Sequence, residues 1–453
     1  MDSLAQIPLS LVLFVAFFFV TFTYIFQRDV VFSMFYLLLF VYTIFTEIAN
    51  LYFPDILAQQ GIPLGDALDW GGYNFFIRSS FIVIFLTYLL AYDNLKGFRF
   101  GIHRTKIKSI CAFCILIACY DLILCYLYWS NVQDLSYAQQ TSLKENGLFR
   151  NMYALSPSIL IIIWHVMRTA GDSLKRNILA ALLVIHAFVL ALIISKTGQR
   201  EVFLTIPIGF FVYSYMTAPK RKRITWYWLK VFIVLLVAAY VGIAVQVVRR
   251  EEISLLSLAF ALSQPWVLMD DFLFSPTGLL FQDYTGPSLV LLYSIQSGFT
   301  DFYEGLKSVL LGSLPLTGQP SLGSIVAREI NPAMEYEWQG FGYYFLHEGY
   351  FICGWWGILY NGLVFTLGYF FWKKLFIDVK DLRLKALFGA LVAMQAIEIV
   401  RGQSSNFIRN TLYIIIPSLI LNYIATGLMP GYFKRRMAGA RAGDYQGKIE
   451  SVT

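Results

Sequence analysis

Charge is scarce in this sequence: Asp, Glu, Lys and Arg make up 14% of its 453 residues. With 58% hydrophobic residues beside so little charge, a soluble globule of this size could not enclose its apolar side chains. Histidine occurs four times and cysteine five times. Cys111, Cys114, Cys119 and Cys125 share one apolar run, so they form no disulfide framework. Cys111-x-x-Cys114, with no second pair and no nearby histidine, reads as small buried side chains rather than a metal site. The motifs of soluble enzymes are missing too: there is no P-loop, no dinucleotide glycine fingerprint and no His-Glu-x-x-His. No Asp-x-Asp is present to hold a metal-bound nucleotide sugar, which argues against a cytoplasmic nucleotide-sugar transferase. Neither a metal nor a cofactor is expected.

What the sequence does have is apolar runs long enough to cross a bilayer, which takes ~20 residues. They lie at 9–26, 31–50, 77–92, 109–128, 153–168, 177–195, 202–218, 227–247, 343–371, 386–400 and 411–428. The run 153–168 is short and carries Pro157. Most of the 35 basic residues fall in short segments between these runs: Arg28, Lys96 to Lys108, Arg168 to Arg176, Lys220 to Lys230, Lys373 to Lys385 and Lys434 to Lys448. Such segments mark the cytoplasmic side. Lys220-Arg221-Lys222-Arg223 belongs to that series, so no nucleic-acid partner is expected. Met1-Asp2-Ser3-Leu4 lacks the basic start of a cleavable signal and favours a periplasmic N-terminus, while Lys434-Arg435-Arg436 puts the C-terminus in the cytoplasm. The expectation is an all-α polytopic integral membrane protein with about 11 transmembrane helices and one large periplasmic loop.

Four regions follow: 1–247, an N-terminal bundle of about eight spans; 248–342, the large outer loop; 343–430, about three more spans; and 431–453, a cytoplasmic tail. The loop, roughly 95 residues, is too long to be a structureless connection. Prolines at 265, 276, 287, 315, 320 and 332 interrupt it. Its apolar stretches Ile253–Leu268 and Ser288–Phe299 are expected as short in-plane or re-entrant helices.

Against this topology, Arg200, Arg249, Arg250, Arg328, Arg401 and Arg409 fall on the outer side, at or near helix ends. Isolated guanidinium groups there cost several kcal/mol and usually hold anions. A planar fork of donors suits a diphosphate. Lys196 and Arg200 sit four apart in Ser195-Lys196-Thr197-Gly198-Gln199-Arg200-Glu201, so both can address one anion. The alternative is a tight turn with Arg200 paired to Glu201. In Val400-Arg401-Gly402-Gln403, Glu398 stands three residues before Arg401 and offers it a simple helix pairing.

A third constellation closes the loop: Arg328-Glu329, then Glu335-Tyr336-Glu337-Trp338, then Leu346-His347-Glu348-Gly349-Tyr350. A His347 or Glu348 just inside an apolar run can take a proton from a sugar hydroxyl. A hydrogen-bonded interfacial pair is the alternative. Tyr336, Trp338, Tyr344 and Tyr350 cluster nearby and offer aromatic faces to sugar rings, although aromatic residues also belong at membrane interfaces. Asp121, inside the fourth run, is open to proton coupling or to pairing with a hydroxyl or cation. His165, His186 and Glu47 read as satisfied interior or interface residues.

Taken in order, these segments resemble the bacterial O-antigen and oligosaccharide repeat-unit polymerases, the Wzy family. Lys196-Thr197-Gly198-Gln199-Arg200 is similar to that family's Thr-Gly-Ser-Arg turn. Glu348-Gly349-Tyr350-Phe351-Ile352-Cys353-Gly354-Trp355-Trp356-Gly357 resembles its Glu-x-Tyr-x-x-x-Gly-x-x-Gly signature, and Arg401-Gly402 its Arg-Gly turn. The likeness covers residues 177–428. Gln199 stands where a small residue is commoner, and His347 beside Glu348 is not a fixed family feature. The resemblance implies a GT-C-like, metal-independent glycosyltransferase of the bacterial inner membrane. Its donor and acceptor would be undecaprenyl-diphosphate-linked oligosaccharides, with membrane lipid, a chain-length regulator and a flippase as partners. Arg200, Arg328 and Arg401, with Lys196, Arg249 and Arg409, would hold the diphosphate, and His347 or Glu348 would activate the acceptor hydroxyl. The related O-antigen ligase uses the same arginine logic. A transporter or flippase of lipid-linked sugars, or a structural subunit of an export complex, are readings of other classes.

Overall fold

A computed structural model describes residues 8–54, 69–95, 110–132, 156–169, 173–197, 201–218, 255–274, 285–311, 322–330, 344–378, 382–402 and 404–412, with isolated positions 233, 240, 241, 243 and 244. Every regular element among them is helical. In chain order these are α1 (Leu9–Arg28), α2 (Val30–Tyr52), α3 (Trp70–Asn94), α4 (Ile110–Val132), α5 (Ser156–Thr169), α6 (Ser173–Thr197) and α7 (Glu201–Thr217). Then come α8 (Leu255–Leu262), α9 (Pro265–Phe274), α10 (Gly286–Ser297), α11 (Phe302–Leu311) and α12 (Leu322–Ile330). The chain continues with α13 (Phe345–Cys353), α14 (Gly357–Trp372), α15 (Leu382–Met394), α16 (Ala396–Val400) and α17 (Ser405–Asn410).

Among the described residues, five segments are long and apolar enough to cross a membrane: Leu9–Arg28, Val30–Tyr52, Trp70–Asn94, Ser173–Ala191 and Phe345–Ile377. Leu13, Phe19 and Val20 on the first and Phe75 and Leu90 on the third are exposed, a surface suited to lipid. The chain is therefore an all-helical protein of membrane type. The expected runs 227–247 and 411–428 lie almost wholly outside the described residues. Helix α3 begins seven residues before the expected run, because Asp69 caps it by accepting from Gly72 N at 2.7 Å.

Two cores are packed side by side. α1, α2, α3, α10, α13 and α14 share the first, which is rich in aromatic rings. Phe18 stacks on Phe40 with ring centres 3.7 Å apart, and Phe32 on Tyr88 at 4.6 Å. Aromatic pairs add about 0.5–1.5 kcal/mol beyond the area they bury. α4, α5, α6, α7 and α15 share the second core, an aliphatic one built on Ile159, Ile161, Ile163, Leu179, Ala390 and Leu391. α2 packs on α15 and α7 and joins the two. At one end of the first core Asp29 closes the one-residue turn between α1 and α2. It accepts from Phe32 N at 3.2 Å and Tyr369 Oη at 2.5 Å, and it pairs with the Lys373 ammonium.

One expected span needs correction. The run 343–371 reads as a single crossing, yet the chain reverses within it. Gly354 takes φ +57°, a conformation open to glycine, and a Cβ at Gly357 would strike the Gly349 backbone. Asn361 Nδ2 donates to Leu346 O at 3.0 Å, and the Phe345 and Phe365 rings lie 5.1 Å apart. α13 and α14 are thus antiparallel arms of a hairpin. The nine residues of α13 reach only about 14 Å. From Gly357 the second arm runs on through a π-turn to Ile377, about 31 Å, enough to cross alone. The tip exposes Trp355 and Trp356, a residue type that settles at membrane–water boundaries.

The described parts of the long-loop region form short helices. The stretch expected at Ile253–Leu268 breaks ahead of Pro265, which disfavours helical backbone in the residue before it. α10 has nine of its twelve residues buried and packs against α2, α3 and α13. It is thus enclosed by the helical bundle over most of its length.

Candidate functional site

The hairpin carries the acid and the imidazole, and both are fully buried. His347 shares a hydrogen bond between Nε2 and Ser294 Oγ of α10 at 2.7 Å. Glu348 faces the other way. Its Oε1 accepts from the Tyr360 hydroxyl of α14 at 2.5 Å, and its Oε2 accepts from the backbone amide of Ser404 at 2.6 Å. Ser404 opens α17, directly after the turn that begins with Arg401. Two segments singled out in the sequence, more than fifty residues apart, are therefore joined by one carboxylate.

Several bonds shape that turn. Arg401 is half-buried at the end of α16, its amide donating to Ile397 O at 2.8 Å. Asn406 Nδ2 donates to Glu398 O at 2.7 Å, and Asn410 Nδ2 to Gln395 Oε1 at 3.0 Å. The Glu398 carboxylate, offered to Arg401 by sequence spacing, receives Arg409 Nη2 at 3.0 Å and Asn410 Nδ2 at 3.4 Å. Arg409 thus sits in a half-exposed ion pair one turn into the next helix.

The other expected site residues are dispersed. Arg328 is exposed in the last turn of α12, which packs on α11, and α11 packs on both α13 and α17. Lys196 lies in the last turn of α6, and nothing is described of its side chain. Arg200, Arg249, Arg250, Tyr336 and Trp338 lie outside the described residues. Tyr344 is fully buried, sharing a hydrogen bond with Thr43 Oγ1 at 2.6 Å and donating to Leu39 O at 3.0 Å. Tyr350 is enclosed by Phe76 and Trp355, with ring centres at 5.4 and 5.9 Å. In this structure both tyrosines serve packing, with their faces against protein.

Sequence reading missed Tyr360, Ser404 and Ser294, the partners of the two central groups. The glycines at 349, 354 and 357 were the available signal: they allow the reversal that brings Tyr360 over Glu348.

A second polar cluster sits in the other core. Asp121 Oδ2 accepts from Ser156 Oγ at 2.7 Å and meets His186 Nε2 at 3.0 Å, tying together α4, α5 and α6. Cys125 lies 3.1 Å from Ser156 Oγ. His165 Nδ1 meets the Tyr213 hydroxyl at 2.7 Å, and Glu47 pairs with Arg78 at 3.2 Å.

Comparison with protein-family models, curated proteins and solved structures finds no match to this chain.

Proposed function

We propose that this chain polymerises oligosaccharide repeat units carried on undecaprenyl diphosphate, at the periplasmic face of a bacterial inner membrane. It crosses that membrane about 11 times in a GT-C-like arrangement, with the N-terminus outside. In the reaction, a hydroxyl of the acceptor's non-reducing-end sugar attacks the anomeric carbon of the donor glycan. The bond from that carbon to the diphosphate oxygen breaks, and undecaprenyl diphosphate leaves with the electron pair. The hydroxyl proton passes to His347, while Arg401, with Arg200 and Arg328, offsets the charge on the departing diphosphate. No metal is needed where fixed guanidinium groups carry that charge.

The observation that supports this reading most is the Glu348–Ser404 bond, which brings the Arg401 turn against the His347 hairpin. An anion site and a proton acceptor are the two parts such a transfer requires. The test is genetic. Arg401→Ala, expressed at normal levels, should leave single repeat units where wild type makes long chains; wild-type chain lengths would reject the diphosphate role.

A second reading has one observation in its favour. The buried Asp121–His186–Ser156 cluster is the kind of membrane-interior ionisable group that coupled carriers use. Under that reading the chain moves lipid-linked sugars, and Asp121→Asn abolishes transport in proteoliposomes.

A further inference from the structure

Glu348 is the one acid in the hairpin that faces the arginine turn, and its surroundings fit a structural anchor better than a base. The carboxylate is fully buried, and each oxygen accepts a hydrogen bond from a different element. One donor is a backbone amide, which cannot rotate away as a side chain can. Tyr360 Oη lies 3.4 Å from Ser404 Oγ, so the acid, the phenol and the serine form one closed group.

We propose that Glu348 is a positioning residue: it fixes the turn at Ser404 and thereby sets where the Arg401 guanidinium meets the lipid diphosphate. This rests on the reading of Arg401 as a diphosphate ligand. Catalysis by Glu348 itself would require a sugar hydroxyl to reach a fully buried carboxylate.

The probe is undecaprenyl diphosphate, titrated into the purified full-length protein, with polymerisation kinetics measured alongside. In Glu348→Gln the single acceptor oxygen keeps one partner and the amide NH2 can only donate, so the Tyr360 bond must reverse direction and the carboxylate anchor is weakened. Ser404→Pro replaces the amide hydrogen with a ring methylene that cannot donate and crowds the Glu348 oxygen, and it also removes the serine hydroxyl; Ser404 has φ −59°, within the range proline adopts. Both variants should weaken undecaprenyl diphosphate binding about tenfold and raise KM, with kcat at saturating donor within about threefold of wild type. Adding either change to Arg401→Ala should weaken binding no further, since each acts through that arginine. A base role predicts the opposite: kcat down about 100-fold or more with binding unchanged.

Wild-type binding in both Glu348→Gln and Ser404→Pro, or losses that add in full to that of Arg401→Ala, would overturn the proposal and leave the diphosphate reading standing. If the wild-type protein does not bind undecaprenyl diphosphate, the reading and the proposal fall together. Should Glu348→Gln fail to fold, Ser404→Pro carries the test alone.

Discussion

Two buried carboxylates, Glu348 and Asp121, are held in opposite ways. Asp121 gathers its partners on a single oxygen, and all are side chains: Ser156 and His186 of neighbouring helices and Cys125 of its own. Glu348 divides its partners between two oxygens, and one of them is the backbone of a turn. The first arrangement staples three packed helices. The second ties a broken helix to the segment that carries Arg401, so a displacement at one is felt at the other. Both are fully buried; what differs is whether the partner is scaffold or a short loop beside an arginine. That difference is why the function is assigned to the Glu348 side.

The largest expected effect comes from breaking the hairpin beneath Glu348. Gly357→Ala puts a methyl group against the Gly349 carbon and oxygen, where only backbone could yield. We expect a loss of about 3 kcal/mol, the upper end of overpacking costs, read as a lower Tm in detergent and loss of activity. An unchanged Tm would mean that the two arms do not meet there.

Asp121→Asn sharpens the other half of the comparison. It keeps an acceptor oxygen but loses the charge, and hydrogen bonds between membrane helices average only about 0.6 kcal/mol. Stability should fall by about 1 kcal/mol, with chain lengths unchanged in cells. Short chains from a normally expressed protein would move the proton-coupled carrier reading ahead.

The smallest effect is expected at Arg409. Its partner Glu398 is partly exposed, and such pairs contribute about 0–1 kcal/mol. Arg409→Ala should alter the rate of polymerisation by less than about threefold. A loss equal to that of Arg401→Ala would add Arg409 to the diphosphate site.

Much of the helical scaffold is legible in the sequence, because apolar runs such as 9–26, 31–50 and 177–195 coincide with α1, α2 and α6 within a few residues. The hairpin is not, since Gly354-Trp355-Trp356-Gly357 keeps the run apolar through the reversal and hydropathy carries no direction. The importance of His347, Glu348 and Arg401 could be suspected from charge in unusual places. Their connection could not be: the Ser404 group that Glu348 holds is a peptide amide, which every residue but proline possesses. Asp121 and His186 lie on α4 and α6, with α5 between them in the chain, and only packing brings them together.

The most direct test is reconstitution. Purified protein in detergent is given synthetic undecaprenyl-diphosphate oligosaccharide with EDTA present, and the products are resolved by mass. The account predicts a ladder rising in whole repeat units, lost in Arg401→Ala. A folded wild-type preparation that yields no ladder would contradict it.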